Sequence, residues 1–239
     1  MAELAKRLER LFLKLDHTAL LVEQTLADAL FAIESGNDAD AEVVIASDEA
    51  IDRREVETER ECIRLLALYQ PAAIDLRRIC FVVKANSDLE RIADYCIKIA
   101  KRGRKMKKEN ISMASFPAFY KLTEQIGETL RQTIKLFTLR FDDDARDTLP
   151  DGINGKETAY SIIARDKDVI DVAFREFLDQ AIQAEAMFHG RLKIWYELCS
   201  LGRSLERIGD LCTNIAQDAV FMISGEIIRH GGGNSEDSI

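Results

Sequence analysis

Apolar residues recur along this chain at helical spacing, and polar breaks divide them into six runs. In the first, about Leu4 to Ser35, the repeat runs through Leu8, Leu11, Leu15, Leu20, Leu26, Leu30 and Ile33. The stretch "ESGND" (Glu34 to Asp38) interrupts it with a Gly and an Asn. A second helix is predicted over about Ala39 to Leu68, with Val44, Ile51, Val56, Ile63 and Leu66 turned inward. "YQPAAIDLRR" marks the next boundary. Pro71 sits there where a helix can start, because the first turn does not need its missing N–H. A third helix is predicted from about Ala72 to Lys108.

After the connector "NISMASFPAF" the pattern begins again. A fourth helix is predicted over about Phe116 to Phe141, then an acidic, turn-rich loop, "FDDDARDTLPDGINGKE". A fifth follows over about Thr158 to Ala186, and a sixth over about Gly190 to Arg229. The tail "HGGGNSEDSI" has the composition of a disordered end. With only 12 Gly and 3 Pro, the chain has little of the turn chemistry that strand-rich folds need. The expected fold is therefore all-α, as two tandem three-helix bundles related by internal duplication. The units are placed at 1–110 and 111–230, with a disordered tail at 231–239.

The duplication is legible in two stretches, "SDLERIADYCIKIAKR" from Ser87 and "RSLERIGDLCTNIAQD" from Arg203. Their glutamates are Glu90 and Glu206, and 206 − 90 = 116, about half of the chain. On a wheel advancing about 100° per residue, Leu89, Ile92, Ala93, Cys96 and Ile99 share one apolar arc. Leu205, Ile208, Gly209, Cys212 and Ile215 form the matching arc of the second copy. Glu90 and Asp94, like Glu206 and Asp210, stack one turn apart and point off that arc. Packing explains the apolar residues; it does not explain the carboxylates. Like charges at i, i+4 are mildly destabilising on a bare helix. Arg91 and Arg207 point about 100° away from the glutamates.

A hard cation held between these carboxylates and others on an adjacent helix would offset the repulsion. The second helix of each unit offers candidates: Asp48 with Asp52 at i, i+4, and Asp166 with Asp168 or Asp171. The alternative is an ordinary charged surface preserved by common ancestry. Paired E-x-x-H motifs, as in di-iron bundles, do not occur at His17, His189 or His230. No phosphate-binding loop and no nucleophile elbow is found. The expectation is of a protein that is not an enzyme.

Net charge, −9, argues against a nucleic-acid partner. The dense basic run "KRGRKMKK", Lys101 to Lys108, reads either as a solvated helix end or as a patch for an acidic partner or membrane surface. Five cysteines without a C-x-x-C, behind a charged N-terminus, suggest reduced thiols in a soluble, cytoplasmic protein.

The whole pattern resembles the PhoU family. "YQPAAIDLRRICFVVKANSDLERIADYCIKIAKR" is similar to the Q-P-x-A-x-D-L-R…LERIGD segment of that family's first repeat. "GRSLERIGDLCTNIAQDAVFMISGEIIRH" is similar to the end of its second, and "LERLFLKLDHTALLVEQTLADAL" to its opening. The likeness covers about Ala5 to His230. It implies a negative regulator of the phosphate-starvation response, an adaptor between the ATPase subunit of a phosphate ABC transporter and a sensor histidine kinase. Such a protein restrains phosphate uptake, forms a homodimer and meets the membrane only through its partners.

The likeness also implies divalent or iron-type metal ions on Glu90, Asp94, Glu206 and Asp210, supported by Asp48, Asp52 and Asp166, with no organic cofactor. The copies diverge at the last of these. Ile170 stands four residues after Asp166, and Asp171 stands one further on. Two other readings accompany this one: an accessory of a different phosphate transporter, and a carboxylate-cluster metal-binding or storage protein.

Overall fold

The computed structural model of the chain describes residues 2–139, 148–149, 152–187 and 192–228. Its helices are α1 (Ala2–Ser35), α2 (Asp38–Tyr69), α3 (Ala73–Lys108), α4 (Pro117–Lys135), α5 (Gly155–Arg165), α6 (Asp171–Met187) and α7 (Leu192–Ser224). A π-helical turn, Asp166–Ile170, runs α5 into α6 without a break. The two therefore act as one element, and the described residues form helix-helix-helix twice. No β-strand occurs among them; Thr148 and Asn154 make one isolated antiparallel bridge.

Local chemistry sets the boundaries. Gly36 takes φ +58° and ends α1, its N–H bonding the Ala32 carbonyl at 3.0 Å. Asn37 then caps α2 by accepting from the Ala39 N–H. Helix α3 starts at Ala73, two residues after Pro71. Among the described residues, the proline that does occupy a first helical turn is Pro117, in α4. Helix α4 ends at Lys135, sooner than periodicity predicts, because a 3₁₀ turn (Leu136–Thr138) swings Leu136 and Phe137 into the core. Asn154 accepts from the Lys156 and Glu157 N–H groups, so α5 starts at Gly155, three residues before the predicted Thr158. At the other end, α7 stops at Ser224, five residues before the predicted Arg229. Phe141, most of the acidic loop, His189, His230 and the tail lie outside the described residues.

Helices α1, α2 and α3 pack together as one bundle, and α4, α5–α6 and α7 as the other. The apolar arcs predicted on α3 and α7 face the core: Leu89, Ile92, Cys96, Ile99, Leu205, Ile208, Cys212 and Ile215 are all 0% exposed. The two units share a seam in which α3 lies against α7. These helices run antiparallel, since Arg102 meets Glu197 while Lys84 meets Asp218. Phe81 on α3 joins the units again, lying between Phe12 (centroids 6.0 Å) and Phe137 (5.9 Å).

One expectation about the core is corrected. Leu20 is exposed, as are Val56 and Ile63, while Thr58, Cys62 and Leu65 carry the second half of α2 inward. Helix α2 has apolar residues on two sides, so periodicity alone could not choose between the faces. The basic run is in part a solvated end, with Lys101, Lys107 and Lys108 exposed, and in part an ionic clasp. Arg102 and Lys105 clasp Glu197 on α7 at 2.9 and 3.0 Å, and Arg104 reaches Asp38 and Glu42 on α2. The end of α3 is thus ionically stapled to both neighbours.

Candidate functional site

Helix α3 carries Glu90 and Asp94 on the edge of its apolar arc, half-buried along the groove between α3 and α2. Helix α2 turns Asp48, Asp52 and Glu55 to the same groove. Asn86, fully buried, ties the two helices there by donating to the Glu55 carbonyl at 2.9 Å. The groups feel one another. Burial pushes the Glu90 carboxyl up, and the charges of Asp94, Asp52, Glu55 and Asp48 push it further. Asp48 is raised by burial and then by Asp52 and Asp94, with Lys101 opposing. Glu55 is raised by burial, Glu59 and Asp52.

The second unit builds the same kind of face. Glu206 and Asp210 lie half-buried on α7, opposite the π turn. A Cβ on Gly209 would stand 3.0 Å from Ile170 Cδ1 and 3.3 Å from Asp166 Oδ1, so its missing side chain lets this turn approach closely. Asp166 is the most perturbed carboxyl: burial first, then the charges of Asp210 and Asp171, push it up to about 6. Glu206 is raised by burial, then by Asp210, with Asp171 adding to the rise.

All seven residues expected from the sequence therefore fall on two acidic faces: Asp48, Asp52, Glu90 and Asp94 on one, Asp166, Glu206 and Asp210 on the other. Sequence reasoning missed Glu55. It stands three residues after Asp52 and seven after Asp48, which is the same helical side, and that spacing could have found it. It also left the choice between Asp168 and Asp171 open. Asp168 is exposed, and Asp171 is the one whose charge reaches Asp166 and Glu206.

The repulsion is relieved locally. Lys98 donates to Asp94 at 3.2 Å, one turn along. Arg207 folds back onto Asp210, although its backbone direction points it away; Arg91 bonds Asp88 instead, at 3.1 Å. Among the described residues, no group of three or more His, Cys, Asp or Glu side chains is arranged to hold a metal ion. The oxygen donors suit a hard cation in kind, but they do not converge on one as they stand.

Beside each face lies an open cleft. One, of about 670 Å³, is lined by Glu55, Glu59, Lys84, Asp88, Asn214 and Asp218. The other, of about 680 Å³, is lined by Asp166, Lys167, Arg207, Asp210, Thr213 and Asn214. The buried thiols stand apart from this chemistry. Burial pushes Cys62 and Cys212 up to about 12, and raises Cys96 as well, which keeps them protonated and inert. His17 is exposed on α1. No described helix is long and apolar enough to cross a membrane.

The family model described as "PhoU domain" matches this chain twice, over residues 15–103 and 121–219. Each match falls on one set of three helices. The "Phosphate-specific transport system accessory protein PhoU homolog" of Pseudomonas putida is 32% identical over 215 residues, 89% of this chain and 77% of that protein. The "Phosphate-specific transport system accessory protein PhoU" of Escherichia coli (strain K12) is 30% identical over 221 residues, 92% of this chain and 84% of that one. The crystal structure of PhoU from Pseudomonas aeruginosa superposes with a TM-score of 0.81 at 28% identity, covering 93% of this chain and 99% of that chain. A Streptococcus pneumoniae phosphate transport system regulatory protein shares the fold, with a TM-score of 0.80 at 24% identity over 95% of this chain. Matched by the family model in both of its halves, the chain belongs to the PhoU family.

Proposed function

We propose that this protein is an accessory regulator of phosphate uptake. In this reading it is an adaptor that docks on the ATPase subunit of a phosphate ABC transporter and on a sensor histidine kinase. It restrains uptake, and it keeps the kinase from switching on the starvation response while phosphate is ample. The observation that carries this is the 30–32% identity, over about nine-tenths of the chain, to proteins named as accessories of phosphate-specific transport. The geometry supports the adaptor form. The prominent polar features are open acidic faces on a rigid helical frame, which suit contact with a macromolecular surface.

The two acidic faces are the proposed working surface, since packing accounts for the apolar half of each repeated motif and leaves the carboxylates free for function. A tagged copy of this chain, recovered from cells at high and at low phosphate, tests the partners. The reading predicts that the transporter's ATPase subunit or the kinase comes with it; recovery of neither under both conditions would overturn it. Sedimentation of the pure protein tests the proposed homodimer.

Metal binding at the same faces is proposed separately, because it requires the carboxylates to turn toward one another. Titration with Mn²⁺, followed by its electron-paramagnetic signal, tests it. Loss of free-ion signal in the parent but not in Glu90→Ala/Asp94→Ala/Glu206→Ala/Asp210→Ala supports a metal; equal free-ion signal in both counts against one. Either outcome leaves the adaptor reading standing on its own test.

A further inference from the structure

The second helix of one unit and the α5–α6 element of the other share a buried pattern, and its register changes once. Before the π turn, buried residues pair at a separation of 118: Ala41 with Ala159 and Val44 with Ile162 (162 − 44 = 118). Asp48 and Asp166 keep that separation. After the turn the separation is 119: Ile51 with Ile170, Thr58 with Phe177, Cys62 with Ala181 and Leu65 with Ala184 (184 − 65 = 119). The apolar and threonine residues of these pairs are buried and the two aspartates half-buried, and neither separation alone would match both halves. The α5–α6 element therefore holds one residue more between Asp166 and Ile170 than α2 holds between Asp48 and Ile51. In exposure, Lys167 and Asp168 match Glu49 and Ala50, which leaves Val169 without a counterpart.

An added residue would rotate the rest of an α-helix by about 100° and carry its core face into water. Here it does not, because the Asp171 N–H bonds the Asp166 carbonyl, five residues back, and closes a single π turn. The wider turn absorbs the extra residue and returns α6 to its original face. Ile170, not Asp171, is then the buried residue, with its Cδ1 against Gly209.

We propose that Lys167–Val169 contains a one-residue insertion absorbed by the π turn, and that Asp171 is the second unit's equivalent of Asp52. This gives the second acidic face Asp166, Asp171, Glu206 and Asp210 in the places of Asp48, Asp52, Glu90 and Asp94, while Phe174 stands where the first face has Glu55. The divergence seen in sequence, with Ile170 four residues after Asp166, is then only apparent.

Single-residue deletions test the proposal. Deleting Val169 leaves the α-helical spacing D-K-D-I-D and removes only the spare residue. The melting temperature is expected to hold within about 3 °C or to rise, with the helical circular dichroism signal unchanged. Deleting Ala50 from the matching place in α2, where no residue is spare, is expected to lower it by well over about 10 °C or to abolish cooperative melting. Similar losses from both deletions would overturn the insertion. A second pair of variants tests the assignment of Asp171 without touching the chain length. Asp171→Asn should raise the melting temperature at pH 7.5 by relieving repulsion on Asp166 and Glu206, and Asp168→Asn should leave it unchanged. The reverse result would place Asp168, not Asp171, on the face.

Discussion

Glu90, Asp94, Glu206 and Asp210 stand beside packing that does not need them. Their neighbours on the wheel are fully buried, whereas the carboxylates sit half-exposed and repel their own kind. Glu90→Ala with Asp94→Ala should accordingly leave the helical signal intact. The variant loses the exposed Asp94–Lys98 pair, worth at most about 1 kcal/mol, and gains relief from repulsion. Loss of helical signal would mean that these side chains support the core.

The pH dependence has a definite sign. Asp166 has its ordinary value of 3.8 when unfolded and about 6 when folded. Its contribution to stability is full below about 3.8 and is lost as pH rises through about 6. Replacing it by Asn should stabilise the protein by roughly 1–2 kcal/mol at pH 7.5 once solvent screening is discounted, and by almost nothing at pH 4. A gain that is the same at both values would contradict the electrostatic origin. These carboxylates were legible from sequence because a duplicated motif set them against a calculable wheel. The extent of their burial was not, because it depends on how close α2 and the π turn approach.

At the scale of the helix, close approach is set by small residues. A Cβ on Gly103 would stand 2.9 Å from the Cα of Ile33, a backbone atom that cannot swing aside. Gly103→Ala should therefore force α1 and α3 apart at a cost of about 1–3 kcal/mol. Gly127, in α4, meets nothing closer than Arg131 Nη1 at 3.5 Å, so Gly127→Ala should stabilise its helix by up to about 1 kcal/mol. Chemical denaturation of the two variants checks both signs, and a stable Gly103→Ala protein would show that α1 can shift freely.

The order and number of long helices followed from periodicity and breakers, as at Gly36 and Asn37. The inward face of the second half of α2 did not. Val56 and Ile63 compete there with Thr58 and Cys62, and only α1 and α3 decide which side faces the core. The one-residue offset of Asp171 was visible in sequence, but the π turn that accommodates it was not, because an extra residue leaves helical composition untouched.

In the whole molecule the units meet along α3 and α7, and the charges there are not symmetric. Helix α3 supplies cations at both ends of the seam, Lys84 at one and Arg102 with Lys105 at the other. Helix α7 supplies the anions, Asp218 and Glu197, at 5% and 7% side-chain exposure. Duplicated units could pair with their own kind in another chain; this polarity favours first with second. Glu197→Lys with Asp218→Lys should therefore lower the melting temperature by several degrees and broaden the molecular-mass distribution in light scattering. Adding Lys84→Glu, Arg102→Glu and Lys105→Glu should restore part of both. Reversal without effect would show that the apolar seam alone fixes the pairing. The basic run of α3 was visible in sequence, but its partners on α2 and α7 are 62 to 95 residues away and no local pattern indicates them.

As proposed, this protein restrains the phosphate-starvation response through its two acidic faces. The most direct test is alkaline phosphatase activity in cells that lack this chain, grown in abundant phosphate and complemented with either parent or variant. The variant carries Glu90→Ala, Asp94→Ala, Glu206→Ala and Asp210→Ala. High activity is expected in the deleted strain, suppressed by the parent and not by the folded variant. Equal suppression by both would remove function from the acidic faces, and low activity in the deleted strain would contradict the regulatory role itself.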